Sequence, residues 1–526
     1  MSSTPQKLTR EQLSARLEAA LLRNARLEQY AFLLAEELRL LRIKKYGSGA
    51  ERLSDGQLAL LELEPGVCAA EVASEGEVAP ADKGLAPNTP LHEPARKQPV
   101  RGPLPEHLPR EERIVHVSAK DCFCAQCGAA KKLIGYQTSE RLAIKPIELY
   151  VEVTKREKLA CARCEELGVS IAPVPATIIE KGILADSLVV ETIVKKYCDH
   201  TPLYRQAAGI GRDAGVEISQ ATLSSSVLKA GELLTGVVAA MKAELLAGGY
   251  IQADETTVPV QSDRTKGKNH QAYLWEYSVP GSLVVYDFQM GRAREGPANF
   301  LAPFGGRLQS DGYAAYGKIG GPSLLHFGCW ARVRRKFFDA AKLDPKNVRC
   351  VAVVAAIGAL YELERQAREA KLTFSEREAL RARECPSRLA ALKTLITSGA
   401  GALPKSALGK ACTYALNQWE RLVRYAEPGH GMVEIDNNWA ENAMRGVALG
   451  RKNWIQNGSE SAGPKVAALL SVLETCKRLK LNAREYLLEV LPVLAYQETR
   501  PGLSGVKSAA ELTPTEWLRL RTAPVQ

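Results

Sequence analysis

Between residues 249 and 290 the chain carries three short runs, GGYIQADETTVPV, AYLWEYSV and SLVVYDFQ, split by polar or glycine turns. Runs of this kind, rich in Val, Tyr and Trp, read as strands, and three in succession read as an antiparallel meander. A helix at about 294–303 follows, then a fourth strand in RLQSDGYAAY and a fifth in SLLHFGCW, which runs into the basic helix ARVRRKFF. Strands first and helix–strand alternation afterwards predict a mixed sheet with helices on both faces. Asp254 ends the buried half of the first strand, and Asp311 ends the fourth just before Gly312. An acid where an apolar strand stops is often a turn residue. Two of them, on strands that a mixed sheet can set side by side, make a metal site. Glu255 alternates to the other side of its strand.

A second polar concentration lies at 435–454, IDNNWAENAMRGVALGRKNW. Asp436-Asn437-Asn438 reads as a helix start, with Asp436 available as N-cap. Glu441 and Arg445 then fall four apart on one helical face. Alone, this describes a solvated helix with an ion pair; beside Asp254 and Asp311, Glu441 completes a set of three carboxylates. Asp436 is the alternative third acid. Residues 331–430, helical and charged, separate Asp311 from Glu441 and read as an insertion, and two further helices follow from 461.

Upstream, residues 8–46 carry a heptad. Leu13, Ala20, Leu27, Leu34 and Leu41 form one seam, and Leu17, Asn24, Ala31 and Leu38 the other. A polar Asn at one core position commonly fixes a two-stranded register, which predicts a homodimer; a single amphipathic helix is the alternative. Nine prolines between 65 and 110 leave no core-forming pattern, so the linker is drawn at 47–113. Cys124-Ala-Gln-Cys127 and Cys161-Ala-Arg-Cys164 are two CxxC knuckles suited to a structural tetrahedral Zn²⁺, with Cys122 a possible substitute for Cys124. Residues 183–234 read as helical. A turn at Gly215 and a helix from about Gln220 resemble a helix-turn-helix, although a plain helical hairpin fits as well.

Twelve cysteines without a secretory leader argue for reduced thiols, and no apolar run reaches the length of a membrane span. A cytoplasmic chain without a membrane partner is expected. The net charge of +11 points to a polyanion such as DNA.

The motifs DETTVPV, SDGYAAY, GCWARVRRKF, IDNNWAENAMR with GRKNW, and LETCKRLKLNAREYL occur in that order. Together with TPLYRQ, the double knuckle and the leading heptads, they resemble the large transposase of the insertion sequence 66 family. The resemblance implies a DDE transposase with a ribonuclease-H-like catalytic core in a multidomain α/β chain. The expected parts are a coiled coil at 8–46, a zinc-binding ribbon at 114–175 and a helical DNA-binding domain at 176–246. The core would occupy 247–330 and 431–460, interrupted by the insertion, with a C-terminal helical segment at 461–526.

On this resemblance Asp254, Asp311 and Glu441 are the catalytic acids and hold two Mg²⁺ (or Mn²⁺) ions, with Asp254 bridging. Lys195, Lys196, Arg332, Arg334, Arg335, Lys336, Arg445, Arg451 and Lys452 would meet double-stranded DNA, at element ends and target. Small accessory proteins of the same element are further expected partners, and nucleoid association follows from DNA binding. Two positions depart from the family pattern: Arg332 stands where His is usual, and Asn442 where Arg is usual. The alternative is a catalytically inert, zinc-containing, dimeric DNA-binding protein.

Overall fold

A computed structural model describes residues 149–160, 169–262, 269–500 and 507–522, with gaps at 322, 345–346, 400 and 455, together with the single residue Arg23. The expected coiled coil and linker, and the cysteines Cys124, Cys127, Cys161 and Cys164, lie outside the described residues. The described residues from 155 onward belong to one unit, which holds the sheets and the helices that pack on them.

A small antiparallel hairpin pairs β1 (Lys158–Ala160) with β2 (Val169–Ile171). Four helices come next: α1 (Asp186–Tyr197), α2 (Leu203–Ala214), α3 (Gln220–Leu233) and α4 (Thr235–Ala247). Gly215 ends α2 at φ 67°, a left-handed conformation that costs Gly little. Ser219 caps α3 by accepting the amide of Thr222 at 3.0 Å. The turn and the second helix therefore stand where the sequence predicts them. The second helix is largely committed to the interior, since Leu223 and Val227 are buried and a Cβ on Gly231 would sit 2.5 Å from the carbonyl oxygen of Lys465.

The main sheet contains β3 (Tyr250–Val260), β4 (His270–Ser278), β5 (Val284–Gln289), β6 (Arg307–Gln309) and β7 (Leu325–Phe327). Its order is β5-β4-β3-β6-β7. The first three strands form the predicted antiparallel meander, and β6 and β7 add in parallel on the far side of β3. The fourth strand is shorter than RLQSDGYAAY suggests. It stops at Gln309, because Asp311 folds its carboxylate back onto the amide of Tyr313 around Gly312, at φ 86°, and Ala314–Lys318 coil into a 3-10 turn. A short helix, α5 (Glu295–Leu301), precedes it.

From Trp330 the chain is helical: α6 (Trp330–Leu343), α7 (Val348–Glu369), α8 (Phe374–Gly399), α9 (Ala407–Asn417) and α10 (Trp419–Val423). These helices bury a core of their own around Phe337, Ile357, Leu392 and Ile396, into which Tyr250, Phe327, Val433 and Ile435 also project. Inside it, Glu364 is 1% exposed and bonded to both Arg377 and Arg381 at 2.8 and 2.7 Å. Arg381 donates on to the carbonyl of Val433 at 2.8 Å, and Arg377 pairs with Glu434 at 2.8 Å. The insertion thus grips the strap that leads into α11 (Asn438–Trp454).

Two long helices, α12 (Ala462–Arg478) and α13 (Ala483–Thr499), and the short α14 (Pro514–Thr522) complete the fold. A strand at the end of a sheet exposes unpaired backbone groups. Here α12 covers those of β5: Ser471 accepts the amide of Tyr286 at 2.8 Å, and Thr475 accepts that of Val284 at 3.0 Å. The helices α1, α3, α4, α12 and α13 share one hydrophobic cluster with the sheet. No helix among the described residues is long and apolar enough to cross a membrane.

Candidate active site

The site begins with two glutamines. Gln252 and Gln309 each precede an acid by two residues, in Gln-Ala-Asp254 and Gln-Ser-Asp311, and the parallel pairing of β3 with β6 sets the glutamines directly opposite one another. Alternation along a strand then turns Asp254 to the same face as Gln252. Both glutamines are fully buried. Gln252 Nε2 donates to Gln309 Oε1 at 3.0 Å and to the carbonyl of Asp436 at 2.7 Å, while its Oε1 accepts the amide of Ala440 at 3.3 Å. Gln309 Nε2 donates to the carbonyls of Gly328 and Glu434 at 3.0 and 2.8 Å, and the Tyr250 hydroxyl donates to Gln309 Oε1. Two side chains therefore lock β3, β6, the end of β7 and the start of α11 together. Being uncharged, they leave no mark in the charge pattern of the sequence; the repeated Gln-x-Asp is the signal that could have found them.

The three acids stand just beyond this platform. Asp254 lies where β3 changes from buried to half-buried, and its Oδ1 accepts the amide of Glu255 at 2.9 Å. Asp311 sits two residues past β6, 16% exposed, with Oδ2 3.5 Å from the Arg332 guanidinium. Glu441 occupies the first turn of α11, where the helix dipole favours an anion, and lies 3.5 Å from the Arg335 guanidinium. Its helix buries one face, with Ala440, Ala443, Met444 and Val447 inside, and the residues leading into it, Asp436 and Asn437, are fully buried. Asp436 accepts the Tyr361 hydroxyl at 2.7 Å and the amide of Asn438 at 3.2 Å, but it stands one residue before the N-cap position, which Asn437 takes by accepting the amide of Glu441.

The electrostatics tie the acids together. Burial holds the Asp254 carboxyl well above the usual carboxylate range, and the charges of Glu441, Glu255 and Asp311 push it the same way. Glu255 turns to other partners, accepting from Arg292 at 2.6 Å and from the Tyr316 hydroxyl at 3.2 Å. Beneath Asp254 on the neighbouring strand, Glu276 is fully buried, and that burial raises it to about 8 even with Arg478 3.4 Å away. Arg478 also donates to the carbonyl of Trp439 at 2.5 Å and stacks over its ring, so it couples β4 to the first turn of α11.

Carboxylate oxygens are the donors that hard divalent cations prefer, so a cluster of carboxylates suits one. The fold brings the three acids into mutual electrostatic reach, yet among the described residues no three His, Cys, Asp or Glu side chains gather into a coordination sphere. Two of the three acids are paired with arginines, Asp311 with Arg332 and Glu441 with Arg335, each at 3.5 Å.

The remaining basic residues divide. Arg334 and Lys336 lie over the rings of Tyr361 and Tyr414, at 5.7 and 4.7 Å. Arg445 and Lys452 are exposed on α11. Arg451, expected on phosphate, instead turns inward and donates to the carbonyl and hydroxyl of Thr257, bracing α11 on β3. Lys195 pairs with Glu191 at 3.5 Å, and Lys196 lies over the rings of Tyr197 and Trp454.

Three family models match the chain. The model described as "Transposase IS66 family" covers residues 181–465, the sheet, the insertion and α11 included. "Transposase C of IS166 homeodomain" covers 33–113, and "zinc-finger binding domain of transposase IS66" covers 121–165, the span of both knuckles. The uncharacterized protein y4qI of Sinorhizobium fredii is 32% identical over 486 residues, 88% of this chain and 86% of its own length. The uncharacterized protein y4hP of the same organism is 31% identical over 494 residues, 88% of this chain and 85% of its own. Matches of this extent make the chain a member of the IS66 transposase family.

Proposed function

We propose that the chain is a DDE-type DNA transposase that cleaves DNA at element ends and joins the freed 3′-OH to target DNA, with Asp254, Asp311 and Glu441 as its catalytic acids. The observation that carries this reading is the convergence of Glu441 and Asp311 on Asp254, which both charges perturb, above a glutamine pair that bonds the strands of the two aspartates to the helix of the glutamate. A ribonuclease-H-like core is supported by the sheet order, a meander with two parallel strands added beside its first member.

Asp254, Asp311 and Glu441 would hold a pair of Mg²⁺ or Mn²⁺ ions. Such a pair supplies Lewis-acid activation of an oxygen nucleophile and charge relief at phosphorus. In the first reaction a water oxygen bonds to phosphorus at the element end and the P–O3′ bond breaks, leaving a 3′-OH. In the second that 3′-OH attacks a target phosphodiester and releases the target's own 3′ oxygen. The protein's part is placement. The buried glutamines hold the acids' strands in register, the insertion fixes the approach to α11, and Arg445 and Lys452 offer cations to the backbone. Four thiolates at Cys124, Cys127, Cys161 and Cys164 would bind a structural Zn²⁺, and the heptads at 8–46 would pair two copies. A cytoplasmic, DNA-associated protein is consistent with this function.

The test is a strand-transfer assay with terminal inverted repeats and Mg²⁺ or Mn²⁺. Joined product, lost in EDTA and in Asp254→Asn with DNA binding retained, is the expected result. The pairing of Arg332 and Arg335 with two of the acids favours one alternative, an inert DNA-binding protein. Binding without any cleavage by the unaltered chain would establish that alternative.

A further inference from the structure

At the far end of α11 from Glu441 lies a cavity of about 650 Å³, within the range of small-molecule and cofactor sites. Its walls come from the end of α1, the starts of α2, α3 and α12, the end of β3 and the loop after α11. Tyr204, 53% exposed, and Trp454 contribute aromatic faces. Gln220, Asn453 and Gln456 contribute amides, and Lys196 is the sole charged side chain among the described residues that line it. No carboxylate of the described residues lines it.

Amides offer a donor and an acceptor each, and so can meet the mixed hydrogen-bonding edge of a nucleobase. Aromatic faces accept a base by stacking, whatever its identity. A lysine without an opposing acid suits the attached phosphate, and the partial burial of Lys196, which lowers its amine to about 8, strengthens its demand for one. A neutral apolar ligand would leave these groups without partners.

Location narrows the choice further. Glu441 and Trp454 are thirteen residues apart on one helix, about 20 Å at 1.5 Å per residue. Exposed Arg445 and Lys452 lie along the helix between the acids and the cavity. Asp254 and Gln261, seven residues apart on and just past β3, span a comparable distance. At 3.4 Å per base pair this corresponds to about six steps of duplex.

We propose that this cavity takes up a single unpaired nucleotide of the bound DNA, about six base pairs from the point of cleavage, stacking its base on Tyr204 and holding its phosphate with Lys196. The inference rests on the DNA-cutting reading above and names a second place where the same DNA is held.

Fluorescence anisotropy of the full, zinc-loaded chain without added Mg²⁺ or Mn²⁺ tests it. The probes are a labelled duplex with one unpaired nucleotide six base pairs from its end and the same duplex fully paired. The unaltered protein is expected to prefer the first about tenfold, the order of one base–aromatic stack. Tyr204→Ala and Gln220→Ala, both at exposed positions, are expected to erase the preference while leaving affinity for the paired duplex unchanged. Equal binding of both probes by the unaltered chain, or a preference that survives Tyr204→Ala, overturns the pocket and leaves the transposase reading standing. Failure to bind either probe sinks both.

Discussion

Two pairs of side chains, offset by two residues, each with one member on β3 and one at the end of β6 or in the turn after it, behave in opposite ways. Gln252 and Gln309 are buried and neutral, and they are bonded to one another and to four backbone groups. Asp254 and Asp311 are carboxyl groups only partly open to solvent, and they stand near two further carboxylates with arginine support at the edges. The first pair holds the fold in one register. The second is placed by the first at a cost, since like charges in a partly desolvated site repel. Rigidity and reactivity occupy adjacent rungs of one ladder, and the neutral rung allows the charged one to stay strained.

The contrast is tested most severely at Asp254. Asp254→Asn is expected to lower strand cleavage about 10³-fold or more, the equivalent of several kcal/mol of lost transition-state stabilisation. In the metal-free protein the same change should raise the melting temperature, because it removes the acid that its neighbours oppose. A variant that melts lower without metal would show that the carboxylates are not in conflict.

Gln252→Leu strikes the other rung. It removes a donor from the Asp436 carbonyl, while Gln309 keeps the Tyr250 hydroxyl and the Ala440 amide keeps the Asn437 carbonyl. At roughly 1–3 kcal/mol per stranded buried group, a loss of that order in chemical denaturation is expected. Wild-type stability in this variant would mean that the network does not hold the strands together.

Acidity sharpens the contrast. A carboxyl whose pKa is raised by folding binds its proton more tightly in the native state, so its contribution to stability is present at low pH and is lost as pH rises. For Asp254 the loss starts above its ordinary value of 3.8, and for Glu276 it runs from 4.5 to about 8. Metal-free protein should therefore lose stability from these two groups as pH climbs through that window. Asp254→Asn should flatten part of the slope, which melting curves from pH 4 to 8 would reveal.

The smallest effect belongs to Arg335→Ala. The pair with Glu441 is half exposed, and such pairs contribute up to about 1 kcal/mol. Stability should barely move, while Mn²⁺ affinity by calorimetry should rise, since a competing cation has gone. A fall in affinity would assign Arg335 to holding the site open.

Asp254, Asp311 and Glu441 stand out in the sequence because charge interrupts an apolar strand or sits in a polar helix start, while their catalytic role comes from the family resemblance. The antiparallel meander, the turn at Gly215 and the helix from Gln220 were legible for equally local reasons. Long-range partners were not. Nothing in the spacing of Arg332 or Arg335 announces that each reaches for an acid, and Arg451 carries the same charge whether it faces phosphate or Thr257. The fourth strand reads too long because Tyr313 and Tyr316 carry the aromatic signal of a strand, while the Asp311–Gly312 turn ends it early. The cavity at Trp454 draws on residues from 196 to 466, a distribution no window of sequence can register.

The cover that α12 gives β5 has a bearing on synthesis. Residues 462–478 emerge long after 284–289, and at about 5–20 residues per second the exposed strand waits on the order of ten seconds or more for its lid. A copy of the gene interrupted before codon 462 would yield a chain with an open β edge, prone to stick to its neighbours. Broken copies are then expected to be cleared as aggregates before they can compete with intact protein for DNA.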